Sequence, residues 1–215
     1  MADRHLGTIM NQLPEDAKIV VTSDHGMSAV SKKFYINELL RNNELLEFDC
    51  NGVIDLSRTK AFFHPCDNGA IFINTENYTD GIVPLSHKQQ LMDKLLNILS
   101  IFNDKQTGKP VIRSIARICE QASLSRELWG DVFVQPSYGY SICADKNKTI
   151  LEKNYKSGYH HFNADFSSMD GICFISDKST EYIRDIYNTD IFSIICELLG
   201  IPLPHRDNER CASNV

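Results

Sequence analysis

The residues of this chain best suited to chemistry are an adjacent carboxylate and imidazole, Asp24 and His25, delivered by the apolar run Ile19-Val20-Val21 and followed at once by Gly26 and Met27. Side by side at a strand's exit, an aspartate oxygen and a histidine nitrogen are well suited to grip a divalent metal ion. A second source of imidazole comes late, in Ser157-Gly158-Tyr159-His160-His161, shortly before the apolar segment 171–176. Together these residues suggest a metal site that handles phosphate, and they do not complete one. Taken alone, Ser23-Asp24-His25-Gly26 reads more simply as a plain turn, with Asp24 capping a following helix and Gly26 supplying an unusual backbone angle.

The surrounding pattern predicts the elements that must position these groups. Leu6, Ile9, Met10 and Leu13 repeat at helical spacing and are stopped by Pro14, after which residues 18–22 read as a buried strand. Residues 34–46 read as a helix, 55–63 and 69–74 as short strands, and 84–102 as a second helix striped by Leu91, Leu95, Leu99 and Phe102. The polar stretch 104–110 reads as a loop into an extended segment 111–118, and residues 131–134 read as a further strand before a turn at 136–139. The Lys- and Asn-rich stretch 145–156 reads as an exposed connection, 171–176 as a strand, and 191–199 as a helix with Asp190 at its start and Gly200 at its stop. Apolar runs alternating with helical stripes predict an α/β fold with a mostly parallel central sheet flanked by helices on both faces. Lys18–Thr22 and Gly171–Ser176 are expected to be strands of that one sheet.

Composition narrows the class. At 215 residues and 42% hydrophobic, the chain can bury one sizeable core, or one core with a smaller lobe. Its formal net charge of -6 gives no reason to expect a nucleic-acid polymer as partner. No apolar run is long enough to suggest a membrane span, and the first residues lack a signal peptide's pattern, so a cytoplasmic location is expected. Seven scattered cysteines without a Cys-x-x-Cys pair fit neither a disulfide scaffold nor a zinc finger, and read as reduced core residues. His5, His64, His87 and His205 read as solvent-facing; Lys32 and Lys33 could approach an anionic substrate but read more simply as a solvated face.

The flanks of the Asp-His pair carry a resemblance. An apolar run leading into Thr22-Ser23-Asp24-His25-Gly26-Met27 resembles the metal-binding signature of the alkaline phosphatase superfamily, in particular its type I phosphodiesterase and nucleotide pyrophosphatase branch. Further segments are similar in the same order: Phe34-Tyr35-Ile36-Asn37-Glu38-Leu39-Leu40, residues 54–62, 69–74, 81–83 and 104–111, Ser157-Gly158-Tyr159-His160, and Met169-Asp170-Gly171-Ile172. The resemblance implies an alkaline-phosphatase-like fold, with residues 61–156 as an inserted lobe, and a metal-dependent hydrolase acting on phosphate esters or nucleotide diphosphate links. It implies Asp24, His25 and His160 as metal ligands, with His161 competing for the last role; mixed carboxylate and imidazole ligands suit zinc as the metal, with manganese the alternative.

Members of the superfamily hold two metals and attack phosphorus with a Ser or Thr, which the metals activate while neutralising the phosphoryl oxygens. The nucleophile and the remaining ligands precede the helix that opens this chain, so the resemblance implies the C-terminal half of a catalytic domain, expected to work with a missing N-terminal half. The rivals are a catalytically inactive α/β module that retains a remnant metal site, and a related phosphomutase or sulfatase.

Overall fold

Apolar side chains concentrate between residues 34 and 142, and in the computed structural model they form the core of one of two compact units. The structure describes residues 2–64, 69–117, 130–160, 162, 166–176 and 185–203. One unit comprises residues 27–169; the other comprises 1–26 and 170–215. The elements run α1 (Ala2–Met10), β1 (Val20–Thr22), β2 (Ser28–Tyr35), α2 (Ile36–Asn42), β3 (Ala61–Phe63), β4 (Ala70–Ile73), α3 (Lys88–Ile101), β5 (Ile112–Arg117), β6 (Val132–Pro136), β7 (Tyr140–Cys143), β8 (Leu151–Tyr159), β9 (Cys173–Ile175) and α4 (Ile191–Leu199).

In the 27–169 unit, β2 lies between β7, its one parallel neighbour, and β8, which is antiparallel to it. A second sheet, in the order β3-β4-β6-β5, is antiparallel throughout. Met92, Leu95, Ile98 and Leu99 bury one face of α3, and Leu95, Phe34, Phe63 and Ile71 are wholly buried in the same cluster. Each such side chain contributes roughly 1.5–3 kcal/mol through the area it removes from water. Among the polar residues buried in this unit, Asn37 and Asp131 tie elements together. Asn37 on α2 donates to the Phe63 and Ala144 carbonyls at 3.0 and 2.8 Å and accepts from the Phe63 amide at 2.8 Å, tying the helix to β3 and to the end of β7. Asp131 accepts from the Ile73 amide at 2.7 Å and pairs with Lys88 at the start of α3.

In the other unit, β1 pairs antiparallel with β9, Val21 opposite Phe174. Two serines prolong this short ladder. Ser176 Oγ accepts from the Ile19 amide and Ser23 Oγ from the Ile172 amide, each at 2.9 Å. Helix α4 ends as its glycine requires: Gly200 adopts φ +64°, and the Gly200 and Ile201 amides turn back to the Glu197 and Cys196 carbonyls.

Several expectations are corrected. The sheets among the described residues are mostly antiparallel rather than mostly parallel, and the strands within 18–22 and 171–176 are direct neighbours running in opposite directions. The fold is a mixed α/β one. The segment 34–46 is not one helix, because Phe34 and Tyr35 complete β2 and α2 stops at Asn42, where Glu44 takes φ +61°. The strand expected over 55–63 begins only at Ala61, since the Asp55 carboxylate accepts from the Ser57 amide and hydroxyl and from Arg58, winding residues 56–58 into a 3-10 turn. The second half of the exposed connection expected at 145–156 belongs to β8, an edge strand whose charged residues hide its period. Of the cysteines, Cys196 is buried, Cys143 and Cys173 are half-buried and Cys50 is exposed, while Cys66, Cys119 and Cys211 lie outside the described residues.

Candidate metal centre

Strand β1 ends at Thr22, and Ser23 is gripped from both sides by residue 172: its amide donates to the Ile172 carbonyl at 3.0 Å while its hydroxyl accepts from the Ile172 amide. Gly171 makes this approach possible, because a Cβ there would lie 2.6 Å from the Ser23 carbonyl oxygen. One residue on, the Asp24 carbonyl accepts from Asn188 Nδ2 at 2.7 Å. The backbone that presents the carboxylate is thus anchored by β9's approach and by the turn before α4, while the carboxylate itself is 82% exposed.

His25 is oriented by its own neighbours. Its amide donates to Asp24 Oδ1 at 3.0 Å, and its Nδ1 lies 2.7 Å from the Gly26 carbonyl oxygen. A carbonyl only accepts, so Nδ1 carries the proton and, in the neutral ring, Nε2 carries the lone pair. That nitrogen lies 3.5 Å from Asp24 Oδ2. A backbone carbonyl fixing the tautomer from behind is the arrangement that makes a histidine a good metal ligand. The chemistry of this donor pair fits a divalent cation, and it provides two ligands.

His160 lies in the 27–169 unit, exposed, directly after β8. Its neighbours hold the strand end: Tyr159 is buried, its ring edge-on to Phe162 with centroids 5.1 Å apart, and Phe162 packs on Phe166, over which Arg113 lies at 4.2 Å. His161 lies outside the described residues. Among the described residues, no group of three or more His, Cys, Asp and Glu side chains is gathered so as to hold a metal ion.

The other candidates divide. His5 and His87 are exposed, as expected, whereas His64 is half-buried with its ring tilted against Phe72 at 5.9 Å; His205 lies outside the described residues. Lys32 is not a solvated residue. Its ammonium pairs with the buried Asp104 and donates to Gln106 Oε1 at 3.0 Å. Burial alone would raise the Asp104 carboxyl, but the Lys32 ammonium, the Gln106 amide and the Tyr140 hydroxyl outweigh it and hold the pKa at about 2. Sequence reasoning missed Asn188 and the Ser23–Gly171 approach altogether. Their partners are 164 and 149 residues away along the chain, and no local spacing announces them.

No helix among the described residues is long and apolar enough to cross a membrane. Comparison with curated proteins and with solved structures finds no match. The family model described as type I phosphodiesterase / nucleotide pyrophosphatase matches residues 1–163, a span that contains Asp24, His25 and His160. With three quarters of its length matched, from the opening helix through the second histidine motif, the chain belongs to the type I phosphodiesterase / nucleotide pyrophosphatase family.

Proposed function

We propose that this chain carries the metal-gripping part of a phosphoester hydrolase, with Asp24 and His25 holding one side of a divalent cation site and His160 supplying a further ligand. Zinc suits a mixed carboxylate and imidazole set best, and manganese is the alternative. The supporting observation is the register of β2 with β8, which makes Ser28 and Tyr159 partners, so that Met27 and His160 leave the ladder at the same end. Met27 also packs over Gly158, where a Cβ would run into its side chain.

In this reading the chain's own residues have defined tasks. The Gly26 carbonyl holds the proton on Nδ1 of His25, and Asn188 and Ser23 fix the backbone that aims the Asp24 carboxylate. A bound metal supplies charge neutralisation of a phosphoryl group and activation of an attacking oxygen. The attacking oxygen and the remaining ligands are assigned to a further segment, as the resemblance implies.

Calorimetric titration of zinc into the purified chain tests the site. Weak, saturable binding is expected, lost in Asp24→Ala with His25→Ala and weakened in His160→Ala. Binding unchanged in the double variant would remove the site and leave Asp24 in the role of a turn residue.

A further inference from the structure

Within the 27–169 unit, a cavity of about 420 Å³ opens between the loop at 102–106 and residues 148–153, with Lys32, Glu38 and Asn42 completing its wall. Its volume falls in the range of small-molecule sites. Lys32, Lys105, Lys148 and Lys153 line it, on a chain whose net charge is -6.

The carboxylates in the wall are already engaged. Asp104 accepts from Lys32, from the Tyr140 hydroxyl at 2.8 Å and from the Gln106 amide at 2.9 Å. Glu38 accepts from Arg41 at 2.7 Å and the Asn147 amide at 2.9 Å, and Glu152 from the Tyr35 hydroxyl at 2.8 Å. Lys105, Lys148 and Lys153 are exposed and make no ion pair among the described residues. The register sharpens the point, because Lys153 stands directly opposite Lys32 across the β2–β8 ladder. Asp104 already neutralises Lys32, which leaves the Lys153 ammonium available to a ligand anion, while half-buried Phe102, Ile150 and Leu151 give the same cavity an apolar side.

We propose that this cavity binds a phosphate-bearing small molecule with an apolar body, the phosphate held by Lys105, Lys148 and Lys153 and the body lying against Phe102 and Ile150. The site shares no residue with the metal-ligand candidates and does not depend on them.

1-Naphthyl phosphate, followed by its fluorescence anisotropy in the presence of EDTA, tests the proposal on the full chain without metal. Saturable binding is expected, falling about tenfold in Lys148→Gln with Lys153→Gln and weakening as salt is raised. Both substitutions are at exposed positions and leave the Lys32–Asp104 pair intact. The same binding should persist in Asp24→Ala with His25→Ala. 1-Naphthol, which lacks the charge, and inorganic phosphate, which lacks the body, should each compete only at much higher concentration. No saturable binding, binding unmoved by the lysine substitutions, equal competition by either fragment, or loss with Asp24 and His25 would each overturn the proposal. The zinc titration, run separately, reports on the metal reading whichever way this result falls.

Discussion

At the scale of single residues, the central relation is between a tautomer and a carboxylate. Because the Gly26 carbonyl takes the Nδ1 proton of His25, the lone pair sits on the nitrogen nearest Asp24 Oδ2, and only the neutral ring can ligate. His25→Ala should therefore weaken zinc binding, and His160→Ala should weaken it more than His161→Ala does; the reverse order in a titration series would move the ligand to His161. Asp104 gives a prediction about stability. Its carboxyl titrates at about 2 in the fold against an ordinary 3.8, so the fold binds protons less readily than the unfolded chain does. The stability it lends is present above about pH 4 and is lost as pH falls toward 2. Urea midpoints measured across that window should fall in the native protein and fall less steeply in Asp104→Asn. The Asp24–His25 contact was legible because the two residues are adjacent in the sequence. The Lys32–Asp104 pair was not, because it joins residues 72 apart and turns a lysine that reads as surface into a half-hidden structural cation.

The elements show why pattern reading succeeds for helices with one wet face and fails at sheet edges. The apolar stripes of α3 and α4 predicted both helices, and α4's stop at Gly200 was read correctly from a residue that tolerates φ +64°. Strand β8 escaped because an edge strand needs few apolar residues, and its polar side chains protect it from further pairing. Helix α2 was overextended past Asn42, because Leu45 and Leu46 continue an apolar pattern although Glu44 has already left the helical region at φ +61°. A left-handed residue with a Cβ costs about 1–2 kcal/mol. Glu44→Gly should therefore leave the fold intact and raise its stability by up to about 1 kcal/mol in chemical denaturation, after the glycine's added freedom in the unfolded chain is offset. Asn37→Ala should do the opposite. It strands the Phe63 amide in the core and removes a donor from two carbonyls, and a loss of about 3 kcal/mol is expected for buried groups left unpaired.

For the whole molecule, sequence pattern led to the right class and the wrong sheet. Alternating apolar runs and helical stripes suggested parallel strands, but connections such as β3 to β4 are too short for the crossover a parallel pair requires, and these strands pair antiparallel. Family membership extends from the opening helix to residue 163, yet hydrolysis needs an attacking oxygen as well as a cation site. The hydroxyl nearest the Asp-His pair in sequence is that of Ser23, and it is occupied in holding the Ile172 amide at 2.9 Å. Supplied with zinc or manganese, the isolated chain should therefore show no hydrolysis of an aryl phosphodiester above the rate of the metal alone, while still binding the metal weakly. Adding, in trans, the further segment proposed above to supply a Ser or Thr and more ligands should bring turnover, and Asp24→Ala should abolish it. Turnover by the isolated chain that depends on Asp24 would locate a nucleophile within these 215 residues, and Ser23→Ala would be the first substitution to make. Turnover that survives Asp24→Ala would show that the Asp-His pair is not the centre of the chemistry.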